Sequence, residues 1–235
     1  GPLSIEVEDT YLRLDKELED ILNYLAQNFE KNEVLLFLTS DHGAVHVPQY
    51  LIDNNIPAGY FDLEGFKHGL NSFLNAKYNT DSIIANVSNY QVFLNHKFIQ
   101  QNGLNLAKIE NEITQFGLTQ KGIAKAVTTS SLKATTFTDR ILANVQRGYN
   151  QSRSGDVLFV LKPGWIPAGY HTGTTHGSPY NYDTHVPLLW YGTGIKKGAS
   201  ERFVAIPAIA ATLAELLKIQ KPSACTGSVI LEVIK

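Results

Sequence analysis

Asp41 and His42 are neighbours, and Gly43 follows them where an apolar run stops. A carboxylate oxygen beside an imidazole nitrogen is a good donor set for zinc. The glycine permits the sharp turn that lets both side chains leave a strand end toward one ion. Much further along, His176 stands before Gly177 in "GTTHGSPYNYDTH", a polar loop that runs into the apolar "VPLLWYG". One carboxylate and two imidazoles do not make a closed structural zinc site, which takes four protein ligands. They suit an open catalytic site, or part of a two-metal site. An isolated Asp-His pair after a strand is equally an ordinary solvated loop feature, so the chemical reading depends on His176 reaching the same cleft.

Other polar residues lie close to these three in sequence. Asp183 and His185 sit at the entry to the last apolar strand. They are read either as supports that hydrogen-bond the His176 loop, as carboxylates do for ligating histidines, or as plain structural pins. His46, a short step beyond His42, has the same two readings, with loop packing the simpler one. Tyr180, Tyr182, Trp165 and Trp190 are read as packing aromatics or cleft walls, His68 and His96 as incidental, and Arg153 as a solvated loop residue rather than a phosphate ligand.

These residues need elements to position them. Residues 4–29 carry Val7, Tyr11, Leu14, Leu18, Ile21, Leu22, Leu25 and Phe29 at steps of three and four, which predicts an amphipathic helix packed on a sheet. Residues 34–38 are continuously apolar, which predicts a strand buried on both faces of a parallel sheet. Asp41 and His42 then stand beyond its carboxyl end, where open α/β sheets bind ligands. Residues 48–66 read as loop. "FKHGLNSFLNAKYN" and "LAKIENEITQFGLTQ" read as helices, with "SNYQVFLN" and "IAKAVTTSSL" as strands. "VLFVLKPGW" and "VPLLWYG" are two further apolar strands, and "AIPAIAATLAELL" is a closing helix with Ile209, Leu213, Leu216 and Leu217 inward. The expected architecture is α/β: residues 1–66 and 136–235 form a core, and residues 67–135 a small α+β cap-like insertion.

The net charge of −2 gives no basic surface for nucleic acid, and no apolar run is long enough to span a bilayer. A single cysteine, Cys225, excludes an internal disulfide and any cysteine-based zinc cluster. The chain contains no methionine and is therefore read as a fragment or processed product.

"FLTSDHG", followed later by "TTHGSPYNYDTHVPLLWYGTGI", resembles the alkaline phosphatase superfamily. Its nearest branch is the bacterial threonine-nucleophile alkaline phosphatases, close to the nucleotide pyrophosphatase/phosphodiesterases. "EDTYLRLDKEL", "GYNQSRSGD" and "CTG" fit the same branch in the same order. The resemblance implies a three-layer α/β/α fold with a mostly parallel sheet, of which this chain is the C-terminal part. It implies two zinc ions about 4 Å apart, with Asp41 and His42 on one and His176 on the other. The His-Gly context favours His176 over His171 as the ligand. The substrate implied is a phosphate ester, most simply a monoester, attacked by a threonine to give a covalent phosphothreonine.

The resemblance places the threonine, an aspartate, an Asp-x-x-x-His ligand pair and the phosphate-binding residues upstream of Gly1. The expectation is therefore an inactive fragment that associates with the missing N-terminal part, or with itself through exposed strand edges. The parent is expected to be periplasmic or secreted. Rivals are a phosphodiesterase or nucleotide pyrophosphatase, a sulfatase on the same scaffold, and a non-catalytic binding module derived from it. Relatives place Asp and Pro where this chain has Ala208 and Ala211, a departure in a packing helix rather than at a ligand.

Overall fold

A computed structural model describes residues 1–30, 32–170 and 172–234. In chain order the elements are α1 (Ile5–Asn28), β1 (Leu35–Thr39), α2 (Pro48–Asp53), β2 (Gly59–Phe61), α3 (Leu63–Tyr78), β3 (Ile84–Ser88), β4 (Gln91–Leu94), α4 (His96–Gln101) and α5 (Leu106–Leu118). There follow β5 (Ile123–Thr128), α6 (Thr129–Ala134), α7 (Arg140–Gly148), β6 (Val157–Leu161), β7 (Trp165–Pro167), α8 (Asn181–Thr184), β8 (Leu188–Gly192) and α9 (Pro207–Leu217). By contacts these fall into two units. One holds Gly1–Val7 with His42–His185, the other Glu8–Asp41 with Val186–Lys235. No helix among the described residues is long and apolar enough to cross a membrane.

The first unit is built on a four-stranded sheet in the order β3-β4-β6-β5, with every pair antiparallel. Residues 157–161 are all buried because β6 lies between β4 and β5. Its continuous apolar run thus reports burial on two faces and not a parallel neighbour. Two helices supply the core with residues spaced by four: Phe66, Leu70 and Leu74 from α3, and Ile109, Ile113 and Gly117 from α5. Both begin at side-chain caps, Asp62 accepting from the Gly65 N–H and Asn105 from the Lys108 N–H. Gly117 lets the Phe159 ring approach: a Cβ there would stand 2.2 Å from it. These side chains join Ile83, Val92 and Val157 in one hydrophobic cluster.

The stretch "SNYQVFLN" is not a single strand. Asn89 and Tyr90 take positive φ values of 48° and 59° and turn β3 into β4, with Ser88 opposite Gln91. Two successive left-handed residues form the hairpin turn whose twist matches the flanking strands. Asparagine tolerates that conformation, whereas tyrosine signals nothing of it. The 48–66 region contains α2, β2 and the start of α3 in place of a continuous loop. His96 is not incidental: its Nε2 pairs with Asp156 Oδ1 at 2.7 Å, while Asp156 Oδ2 accepts the Leu94 N–H. The division at 66/67 and 135/136 into core and cap is a proposal about what was inserted; the four-stranded sheet takes strands from both sides of 135/136.

In the second unit β1 pairs with β8 alone and antiparallel, from Leu35 opposite Gly192 to Thr39 opposite Leu188. Two expectations are corrected here. Among the described strands only β2 and β7 run parallel, so this chain does not itself carry a mostly parallel sheet. Nor is β1 buried on both faces: none of its residues is fully buried, and Phe37, Leu189 and Tyr191 are exposed. A continuous apolar run signals surface that needs covering, and a two-stranded ribbon cannot cover it. The same holds for α1, which forms as expected but has no buried residue.

α9 buries Ala208, Ile209, Ala211, Thr212 and Ala214, while Leu217 is exposed, contrary to expectation. The reason is close packing on the chain's last segment. Thr212 Oγ1 accepts the Ile230 N–H, and a Cβ at Gly227 would meet the Pro207 carbonyl oxygen at 2.1 Å. Small residues at 208 and 211 fit that approach.

Glu110, only 3% exposed, accepts a hydrogen bond from Ser130 at 2.9 Å. Burial raises its pKa above the ordinary carboxylate value, and the nearby Asp156 adds to this. A carboxyl whose folded pKa is raised contributes stability below its unfolded pKa and loses it as pH rises through the folded value. Glu110→Gln is therefore expected to gain stability relative to the wild type as pH climbs from about 4 to 8, measured by urea unfolding across that range. A difference that stays flat with pH would contradict this account of Glu110.

Candidate metal-binding histidine pair

The long segment of the first unit runs from His42 to His185, and its two ends are hydrogen-bonded to each other. The Gly43 N–H donates to the Asp183 carbonyl at 2.9 Å, and the Val45 N–H to the Thr175 carbonyl at 3.4 Å. Thr174 Oγ1 donates to the Val45 carbonyl, joining positions 129 residues apart. Gly43 is needed for this approach because a Cβ there would lie 2.1 Å from the Tyr182 carbonyl oxygen. This sets the role of Gly43 more narrowly than the turn expected of it.

This ladder brings His42 and His176 into ring contact. Their centroids are 3.5 Å apart and their planes 12° from parallel. His42 Nδ1 lies 2.7 Å from the Gly43 carbonyl oxygen. A carbonyl only accepts, so Nδ1 carries the hydrogen, and the lone pair of the neutral ring belongs to Nε2. A backbone carbonyl that fixes the tautomer in this way is the usual support of a metal-ligating histidine. In donor chemistry and tautomer the pair therefore fits zinc.

Of the three expected ligands, the structure places two together. Asp41 precedes His42 in the chain and is counted with the other unit; Ser40 Oγ donates to its Oδ1 at 3.3 Å. Among the described residues no group of three His, Cys, Asp or Glu side chains stands ready to hold a metal. His171, the rival to His176, lies outside the described residues.

The supporting residues divide. Asp183 is 4% exposed, and its Oδ2 accepts the Ser178 N–H at 2.7 Å. Its Oδ1 is buried with no hydrogen-bond partner among the described residues, as is His46 Nδ1. His185 closes α8 through its backbone N–H to the Asn181 carbonyl, and its side chain is exposed.

The tyrosines anchor the loop. Tyr180 Oη donates to the Leu161 carbonyl at 2.8 Å, and its ring lies 5.5 Å from that of Tyr182. Burial, with smaller contributions from Tyr182 and Asp139, pushes the Tyr180 phenol up to about 12. Tyr182 is also raised, chiefly by burial. Both therefore remain protonated donors at neutral pH. Sequence reasoning missed Thr174, whose hydroxyl bridges the two segments, and Asn144, whose amide donates to the Pro179 carbonyl. The hydroxyl run Thr174-Thr175 beside His176 was the available signal for the first. Nothing in the helix pattern marked the second.

Similarity to known proteins gives the class. The profile of the family described as type I phosphodiesterase / nucleotide pyrophosphatase matches residues 1–185, and the chain belongs to that family, within the alkaline phosphatase superfamily. It is 38% identical over 234 residues to "Alkaline phosphatase PafA" of Elizabethkingia meningoseptica, covering 100% of this chain and 43% of that protein. It is 39% identical over 237 residues to "Alkaline phosphatase PhoV" of Synechococcus elongatus, covering 100% of this chain and 42% of that protein. A "Calcium-transporting ATPase" of Myroides odoratus is 36% identical over 233 residues, with 99% and 42% covered. The crystal structure of wild-type PafA matches with a TM-score of 0.91 at 38% identity, over 100% of this chain and 45% of that one. The α/β fold is thus that of an alkaline phosphatase, and the chain spans less than half the length of these relatives.

Gly43→Ala is expected to break the ladder at its tightest point, costing about 1–3 kcal/mol as overpacking does. Thermal unfolding gives the loss of stability, and ring-proton NMR reports separation of His42 from His176. An alanine variant as stable as the wild type, with the rings still in contact, would contradict the role given to Gly43.

Proposed function

We propose that this chain is the C-terminal part of a zinc-dependent phosphate monoesterase of the alkaline phosphatase type. The observation that carries the reading is the ring contact between His42 and His176, one from the Ser-Asp-His-Gly strand end and the other from the Thr-His-Gly loop. Two of the three relatives named above are alkaline phosphatases by name, and the same kinship supports a periplasmic or secreted location.

In this reading Asp41 and His42 belong to one zinc and His176 to the other. Zinc, when bound, supplies Lewis acidity: it stabilises charge on the leaving oxygen and lowers the pKa of a coordinated hydroxyl or water. The chain's own residues do the positioning. The Gly43 carbonyl holds the His42 ring in the Nε2-ligating tautomer. The ladder from residues 43–45 to residues 174–183 fixes the spacing of the two imidazoles. Tyr180 anchors the His176 loop to the end of β6. The nucleophile is a threonine that is not among these 235 residues, and it forms a phosphothreonine. The chain alone then has no turnover. The exposed Phe37, Leu189 and Tyr191 along β1 and β8 mark where the rest of the sheet docks, and without it the chain self-associates.

The family profile supports a second reading, a phosphodiesterase or nucleotide pyrophosphatase using the same histidines. A non-catalytic module derived from the fold is the remaining alternative, and it would retain no stoichiometric zinc.

The test uses the protein that carries the nucleophile together with this chain. It is expected to bind two zinc ions and to prefer p-nitrophenyl phosphate over bis-p-nitrophenyl phosphate. His176→Ala is expected to lower kcat/KM by about a thousandfold, since a Lewis acid contributes several kcal/mol. Preference for the diester would establish the second reading, and absence of zinc would leave the binding module. Hydrolysis of p-nitrophenyl phosphate by the 235-residue chain alone would overturn the assignment of the nucleophile.

A further inference from the structure

Asp183 makes two of the contacts that determine where the histidines stand, and they reach both of them. Its backbone carbonyl accepts from Gly43 at 2.9 Å, one residue past His42. Its carboxylate accepts from Ser178 at 2.7 Å, two residues past His176. The side chain is nine-tenths buried or more, so it is held where it is and not sampling solvent. It sits in α8, whose short helix is closed by the Asp183 and Thr184 N–H groups to the Tyr180 carbonyl. Tyr180 is in turn tied to β6. The residue before Asp183 completes the arrangement, because the Tyr182 carbonyl fills the space a side chain at 43 would need.

Burying a carboxylate costs stability, and leaving one of its oxygens unpaired costs more. Asp183 Oδ1 has no protein partner among the described residues. The Ser178 N–H asks only for an acceptor at this position, so it is the placement of the side chain and not its charge that ties the two segments.

We propose that Asp183 is a positioning residue for metal capture. Its carbonyl and carboxylate clamp the two histidine-bearing segments in one register, so that the imidazoles are preset before any cation arrives. The proposal rests on the zinc reading for its purpose, but the clamp itself is a property of the metal-free chain. It extends the support expected of Asp183 from the His176 loop to both loops.

Two measurements on the 235-residue chain separate the clamp from the zinc. The first is hydrogen exchange at the Gly43 and Ser178 amides without metal, together with ring-proton contacts between His42 and His176. The second is the dissociation constant for zinc by competition with a chromophoric chelator. Asp183→Ala is expected to lose protection at Ser178, to loosen the ring contact, and to bind zinc about 10- to 100-fold more weakly, as loss of an outer support does. Asp183→Asn, which still offers an acceptor to Ser178, is expected to restore protection and to recover most of the zinc affinity. If Asp183→Ala does not fold, Asp183→Glu replaces it; the added methylene displaces the acceptor and is expected to give the same losses.

Unchanged Ser178 protection and ring contact in the disrupted variant would overturn the clamp. So would an asparagine variant that keeps the protection but binds zinc as weakly as alanine, since charge and not position would then be what matters. If the wild-type chain binds no zinc by itself, the metal-capture half of the proposal is overturned, while the exchange and ring-contact results still decide the clamp.

Discussion

Hydrogen bonds between residues 43–45 and 174–183 are the constraint on which the rest depends. They join positions that the chain separates by more than a hundred residues, and everything between folds as one unit around its own core. Because β1 and β8 are antiparallel, β1 ends where β8 begins, with Thr39 opposite Leu188. The chain leaves one unit after Asp41 and returns to it at Val186, close to the ends of that same strand pair. A loop closed this tightly costs conformational entropy, and the buried four-stranded sheet between its ends offsets that cost.

What the sequence made legible was composition-driven. The helices at α3, α5 and α9 follow from periodicity and turn residues. The strands β5, β6 and β8 follow from apolar runs. The histidine pair was legible because each histidine stands before a glycine in a polar stretch next to an apolar run. Direction was not legible. An apolar strand looks the same whether its neighbours run with it or against it, so β1 suggested a parallel sheet, whereas it pairs antiparallel with β8. The tips converge all the same, since antiparallel pairing places the exit of β1 beside the entrance of β8.

Other features were out of reach for different reasons. Tyr90 in a left-handed turn conceals the β3–β4 hairpin, because nothing in its side chain announces that conformation. The orphan oxygen of Asp183 and the crowding at Gly43 are tertiary facts with no local sequence signature. The apolar faces of α1 and β1 were read as buried against a sheet, and in this structure α1 has no buried residue and Phe37 of β1 is exposed.

Chemistry and fold meet in the claim that the polypeptide itself, through its backbone ladder, holds two imidazoles in contact. The direct test is a nuclear Overhauser experiment on the metal-free 235-residue chain with isotopically labelled histidine. The account predicts cross-peaks between the ring protons of His42 and His176, consistent with centroids 3.5 Å apart. No cross-peak between these two rings, in a chain whose other core contacts are intact, would contradict it.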